Sequence, residues 1–346
     1  MNPVVPKISI VVPTYNAGAY LDSLLESLVE QSLVTFEVLL LDDASKDDSL
    51  QRMEKYAADE RVRIFQWESN RGAHAGTLFL LTEIRGEFWC YPGADDYFEP
   101  NFLEERLKWI EKHPNVALVH GRAGYVDEHG LKIDDPNPPM NTPELMRGDD
   151  LLLALLEHNF INAPSVIVRS SFTKTILPFF TGAVFYPMDW YLWILLAALG
   201  FDFRYDDRAL HAYRIHSASN SLTPEKLAVR RAECRLTPLL ALSKASGYSD
   251  HAAVLWSRWG RTLYAAWLLR ALVVSKSRRF DFAWLRLAAQ ACRRQPQGRF
   301  FPLFDYVRNG LAIVMTAYRE RKARSKQRLS VSGLAQIRHP MFEKLP

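Results

Sequence analysis

Short apolar runs alternate with amphipathic stretches from the first residues of the chain. Lys7 to Asn16 (KISIVVPTYN) is rich in β-branched residues until Pro13 stops it, and apolar positions then recur at helical spacing from Ala19 to Gln31. Phe36 to Asp43 is a second apolar run, after which Ala44-Ser45-Lys46-Asp47 opens another helix. A third, Phe88 to Ala94, ends at Asp95-Asp96 ahead of a helix beginning near Pro100. Strand, helix, strand, helix from Lys7 to His120 predicts an α/β fold, with a largely parallel sheet and helices on both faces.

The pattern changes beyond His120. Asp127 to Arg147 is rich in Pro, Asp and Asn and holds no period, which predicts a loop of the kind that borders binding sites. Gly148-Asp149-Asp150 reads as the cap of a short apolar helix to Leu156, and Pro164 to Arg169 as a further strand. Trp190 to Leu199 is apolar on every side and so predicts a buried helix, too short at ten residues to span a bilayer. Ala209 to Ile215 reads as a strand leading into the turn Ser217 to Ser221. In the tail, Val254-Leu255-Trp256, Trp259, Leu263 and Trp267-Leu268-Leu269 recur at helical spacing between Arg258, Arg261 and Arg270. Phe282 to Ala291 and Tyr306 to Tyr318 repeat the pattern, and no run reaches the roughly eighteen uncharged apolar residues of a spanning helix.

Charge sharpens this division. Of 43 Lys/Arg and 39 Asp/Glu, 19 basic and 4 acidic residues lie from His251 onward, so the first 250 residues are net acidic while the tail is strongly basic. Basic amphipathic helices bearing Trp and Phe suit an anionic membrane interface, and equally a helical cap packed on the preceding domain or on a second subunit. Nucleic acid fits poorly, because the arginines accompany a large apolar face. With 346 residues, 48% of them hydrophobic, the chain can bury a sizeable core and form more than one domain. Cys90, Cys234 and Cys292 lack metal-ligand or disulfide spacing and read as packing residues in a reducing compartment. No basic segment, apolar core and cleavage site precede the first strand, so the reading is cytoplasmic.

Candidate chemistry gathers at the ends of the strands. In open α/β sheets ligands bind beyond the C-terminal strand ends, where Tyr15, Asn16, Asp43, Asp95 and Asp96 would converge. The Asp95-Asp96 pair calls for a counter-charge, most simply a divalent cation, although a solvated turn is an alternative. Tyr15 also fits a core aromatic, Asp43 a helix N-cap, His216 a hydrogen-bonded loop residue and Asp189 an N-terminal cap. Arg214 suits a phosphate or a surface carboxylate. No G-x-G-x-x-G follows the first strand and no P-loop is present.

Val12-Pro13-Thr14-Tyr15-Asn16, Leu41-Asp42-Asp43-Ala44-Ser45, Asn70-Arg71-Gly72, Gly93-Ala94-Asp95-Asp96, Met188-Asp189-Trp190 and Tyr213-Arg214-Ile215-His216 stand in an order and spacing that resemble the family 2 glycosyltransferases. The resemblance covers residues 7 to 220. It implies a GT-A catalytic domain over residues 1–223, with a donor half at about 1–125, Rossmann-like in its nucleotide binding, and an acceptor half at 126–223. An α-helical, basic region follows over 224–346. It also implies that Pro13, Tyr15, Asn16, Asp43, Arg71 and Asp95 bind the nucleotide sugar, Tyr15 and Asp43 at the base and Asp95 at the ribose. Asp96 and His216 would hold a metal, manganese in preference to magnesium because imidazole suits it better, and Asp189 would be the general base.

The implied reaction is inverting transfer of a sugar from a nucleotide-diphosphate donor, a UDP-sugar by expectation. The acceptor would be a hydroxyl of a glycan or lipid-linked molecule, in the making of cell-surface polysaccharide. Two alternatives remain: a nucleotidyltransferase-like sugar-nucleotide enzyme, and a non-catalytic membrane-associated scaffold that binds sugar nucleotides. The first calls for a Gly-rich basic loop where this chain has Pro13-Thr14-Tyr15-Asn16. Two departures from the family stand out. Gly93 replaces a carboxylate that many members carry, which would thin the metal coordination, and Met188 replaces a glutamate, which points to a different acceptor arrangement.

Overall fold

The computed structural model describes residues 5–33, 35–135, 144–177 and 187–216, and separate helical residues between 234 and 254. The chain divides into two compact units, Met1–Asn220 and Ser221–Pro346. Beyond Val254, the helical pattern expected from Val254 through Trp267-Leu268-Leu269 lies outside the described residues, as do Phe282 to Ala291, Tyr306 to Tyr318 and the turn Ser217 to Ser221.

In chain order the first unit forms β1 (Ile8–Thr14), α1 (Gly18–Val29), β2 (Phe36–Asp42), α2 (Ser49–Glu54), β3 (Val62–Gln66), α3 (Ala73–Glu83), β4 (Phe88–Cys90), β5 (Tyr97–Phe98), α4 (Phe102–Ile110), β6 (Val116–Gly121), β7 (Gly124–Val126), β8 (Lys132–Ile133), β9 (Leu145–Met146), α5 (Gly148–Glu157), β10 (Ile167–Arg169), α6 (Ser170–Ile176), α7 (Met188–Ala198), β11 (Asp202–Asp206) and β12 (His211–Arg214). Eight strands make one sheet in the order β3-β2-β1-β4-β10-β6-β11-β9, and β5-β12-β7-β8 make a second. Strands β1 to β4 run parallel, as do β6 and β11. β10 runs antiparallel to both β4 and β6, and β9 antiparallel to β11. The C-terminal ends of β1, β2, β4, β6 and β11 therefore share one edge.

β1 and β2 read as nearly continuous apolar runs because helices cover both sheet faces. Ile8, Ile10, Val11 and Val12 are buried in the one, Val38 to Leu41 in the other. α1 turns Leu21, Leu24, Leu25 and Leu28 inward, the i, i+3, i+4, i+7 stripe of an amphipathic helix. α3 lies close on β1 because position 76 is glycine; a Cβ there would stand 2.9 Å from the Pro13 Cβ. The expected all-round burial of α7 holds, from Trp190 to Ala198.

Two local expectations give way. The stretch from Asp127 to Arg147 contains β8 and β9, each of two residues at a sheet edge, too short to leave a period in the sequence. α5 starts at Gly148 itself, at φ +50°, with Arg147 in the cap position and no side-chain cap. Residues 149 and 150 thus lie in its first turn, where the Asp150 charge complements the helix dipole.

Candidate functional site

Two turns at the shared sheet edge are tied together by short polar side chains. After β1 the backbone takes φ +51° at Asn16, a conformation that asparagine tolerates better than most residues. Asn16 donates its N–H to Ser45 Oγ at 3.0 Å, and its Oδ1 accepts the Lys46 N–H at 2.8 Å. Just beyond, Ala17 and Gly18 donate to Ser49 Oγ and Asp47 Oδ2 at 2.9 and 3.0 Å. The turns after β1 and β2 thus move as one piece. Tyr15 stands above them 44% exposed, which removes the core-aromatic alternative. Pro13 is half-buried beneath.

Asp43 is buried, and its two carboxylate oxygens accept the N–H groups of Arg71 and Gly72, each at 2.7 Å. It is no cap for the following helix, since α2 begins at Ser49. Instead it holds the entry to α3, while each oxygen keeps a lone pair for a ligand. Arg71 is exposed, with its guanidinium 4.6 Å over the Trp67 ring.

The paired carboxylates follow β4. Asp96 is buried, accepting the Gly93 N–H on Oδ2 at 3.0 Å and the Arg214 N–H on Oδ1 at 3.1 Å. Burial, then the neighbouring Asp95 charge, holds its carboxyl well above the usual range, and the two backbone donors offset only part of this. Asp95 is partly exposed, with Oδ2 2.9 Å from His216 Nε2. The His216 ring packs on Tyr20, centroids 4.6 Å apart. The histidine thus reaches Asp95, while the family resemblance implies that it shares a metal with Asp96.

Backbone carbonyls of three residues hold the Arg214 guanidinium in place. Its Nε donates to the Asp95 carbonyl at 2.9 Å, and Nη1 to the carbonyls of Asp127 and Glu128 at 3.2 and 3.3 Å. It staples the carboxylate turn to the turn joining β7 and β8. Gly93 also gains a physical reason. A Cβ there would lie 2.5 Å from Asp95 Oδ1 and 2.9 Å from Asp96 Oδ2, so with this backbone a third carboxylate fits only if the pair shifts.

Among the described residues no three His, Cys, Asp or Glu side chains form a metal cage. The donors present are an imidazole nitrogen and a carboxylate oxygen side by side, beside a buried second carboxyl that forms no ion pair among the described residues. That set fits a hard divalent ion which takes its other ligands from water and diphosphate oxygens.

Asp189 lies in the first turn of α7, with Pro187 in the cap position, so it is not the N-cap. Its Oδ2 accepts the Asn159 Nδ2–H at 3.0 Å. The phenol of Tyr91, one residue past β4, is pushed up by burial and then by the Asp189 charge, so the two side chains are electrostatic neighbours. Met188 is buried in the core, where a glutamate would need its own partner. Asn159, Tyr91 and Tyr20 were not singled out from sequence. A lone asparagine in a loop carries no signal, and the two tyrosines read as packing.

Residues 9–173 match the family model described as Glycosyl transferase family 2. An uncharacterized protein of Mycobacterium tuberculosis is 30% identical over 214 residues, 61% of this chain and 59% of that protein. The poly(ribitol-phosphate) beta-N-acetylglucosaminyltransferase TarS of Staphylococcus aureus is 34% identical over 116 residues, 33% of this chain and 20% of TarS. The chain thus spans about three fifths or less of these relatives. Among solved structures, S. aureus TarS 1-349 in complex with UDP-GlcNAc superposes with TM-score 0.58 at 21% identity, covering 84% of this chain and 82% of that one. The mannosyltransferase PcManGT of Pyrobaculum calidifontis, in complex with GDP-Man and Mn2+, gives TM-score 0.51 at 17% identity, covering 92% and 83%.

Proposed function

We propose, on the match of residues 9–173 to the Glycosyl transferase family 2 model and on the GT-A fold, that the chain transfers a sugar with inversion from a nucleotide-diphosphate donor to a hydroxyl acceptor. The observation that carries this reading is the gathering of Asp43, Asp95, Asp96 and His216, drawn from three separate segments, at the C-terminal edge of the parallel strands.

Tyr15 offers an exposed ring for the base to stack on, and the Asp43 carboxylate accepts from a base N–H. Pro13 and Asn16 shape the floor of that subsite, Arg71 lies beside the diphosphate and Asp95 meets the ribose. Asp96 and His216, with Asp95 in reach of the histidine, hold a divalent ion, manganese before magnesium. When bound, that ion neutralises charge on the departing diphosphate. Asp189 takes the acceptor proton, held in orientation by Asn159. A UDP-sugar is the donor we favour, as in the TarS complexes with UDP and UDP-GlcNAc. The acceptor is a glycan or lipid-linked hydroxyl in polysaccharide synthesis, the setting that TarS exemplifies by acting on poly(ribitol-phosphate).

Residues 1–125 and 126–223 serve donor and acceptor, and the basic region 224–346 touches an anionic membrane surface or a second copy. Among the described residues no helix is long and apolar enough to cross a membrane. The test is thermal stabilisation of the full chain by UDP-GlcNAc, UDP-glucose and GDP-mannose, with and without Mn2+. A donor at about a hundred times its Kd adds roughly 2.7 kcal/mol to the native state. Stabilisation by a UDP-sugar that requires Mn2+ is expected; no stabilisation by any of the three overturns the reading.

A further inference from the structure

The donor crevice is not the only concavity of the first unit. A cleft of about 620 Å3 opens between α4 and β11, with Trp109, Tyr205, Arg204 and Asp207 among its walls. Asp206 ends β11, so one end of the cleft lies at the sheet edge that carries the donor site. From β4 the order runs β10, β6, β11, three strand spacings or roughly 14 Å along that edge.

The chemistry of the walls selects among ligands. Four basic and four acidic side chains line the cleft, so it holds no net charge to attract a polyphosphate or a nucleic acid. Several of these charges are already paired: Arg204 with Glu144, Arg208 with Asp206 and Glu105. Trp109 and Tyr205 contribute flat apolar surface, and the Arg204 guanidinium lies 3.6 Å over the Trp109 ring. Arg204 is more than nine-tenths buried, and among the described residues its Nε has no hydrogen-bond partner. Aromatic faces beside interleaved guanidinium and carboxylate groups suit a neutral polyhydroxyl chain. Each hydroxyl both donates and accepts, and each ring has an apolar face.

We propose that this cleft binds a neutral glycan segment, the part of the acceptor chain that trails behind the reacting hydroxyl. The proposal rests on the glycosyltransferase reading and adds to it a second carbohydrate subsite outside the donor crevice.

The experiment measures binding of cellohexaose, chitohexaose and mannohexaose to the full chain by calorimetry, alongside UDP-GlcNAc with Mn2+. At least one neutral hexasaccharide should bind, and Arg204→Gln should weaken it at least tenfold while donor affinity stays unchanged. Lys112 and Asp207 form no ion pair among the described residues, so the double variant Lys112→Glu/Asp207→Lys is a milder surface change expected to weaken binding in the same direction. Binding that survives in both variants overturns the proposal. So does a chain that binds donor but none of the three hexasaccharides. Loss of donor binding by the unaltered chain, by contrast, removes the glycosyltransferase reading beneath it.

Discussion

A carboxylate that is buried, next to a second carboxylate and held by only two backbone N–H groups is poised for a cation, and this is the state of Asp96. Replacing it with asparagine keeps the shape but removes the charge, and turns an amide N–H2 toward one of those backbone donors. Asp96→Asn should therefore abolish Mn2+-dependent stabilisation by UDP, with a loss of stability of about 1–3 kcal/mol. Undiminished Mn2+-dependent UDP binding would show that the ion sits elsewhere. Asp189→Asn should lower turnover by roughly two to four orders of magnitude with donor affinity nearly unchanged. Removing its orienting partner in Asn159→Ala should cost less, about tenfold, because the carboxylate remains. If steady-state kinetics show Asn159→Ala at full rate, the 3.0 Å hydrogen bond does not position the base. Asp43, Asp95 and Asp96 were legible in the sequence because charges at the ends of apolar runs are conspicuous. Asn159 was not, since it meets Asp189 across 30 residues by tertiary folding alone.

At the scale of elements, the entry to α3 depends on a single side chain from the end of β2. Asp43→Ala would strip the acceptors from the N–H groups of Arg71 and Gly72, each an orphaned donor costing about 1–3 kcal/mol where water cannot replace the bond. Urea unfolding should show the loss, and a stability within error of the unaltered chain would mean that water takes over both. Asp43→Asn, which keeps one acceptor, should lose about half as much. α1 could be read from its helical period, and β1 and β2 from unbroken apolar runs that stop at Pro13 and at Asp42-Asp43. β8 and β9 could not, having two residues each. The direction of β10 was illegible for another reason: an apolar run buried on both faces looks the same whichever way it points.

At the scale of the molecule, two histidines among the described residues are buried in neutral form. His120 and His211 are held down to about 3, by burial first and then by the Arg106 charge. The unfolded chain binds protons on both near the ordinary value of 6.5 and the folded chain does not, so stability is complete above that pH and falls as pH drops from 6.5 toward 3. Each histidine sets a slope of at most about 1.4 kcal/mol per pH unit. Urea unfolding at pH 7, 6 and 5 should show the decline; equal stability at all three would contradict their neutral burial. The basic tail gives a second expectation at this scale. Binding of the full chain to anionic vesicles should weaken as salt rises, since the attraction is screened over about 8–10 Å at physiological ionic strength. Absence of lipid-dependent pelleting at low salt would assign the tail to packing. The order of assembly is set by β10. β4 pairs with β1 on one side, but its other partner is Val168-Arg169, nearly eighty residues later in the chain. Until the ribosome has released residue 169, the strand leading to Asp95 and Asp96 has one naked edge, open to stray pairing with other nascent chains. A polypeptide ending near residue 125 would keep that edge permanently, so the first four strands of the sheet are closed off only after the chain as far as β10 has been made.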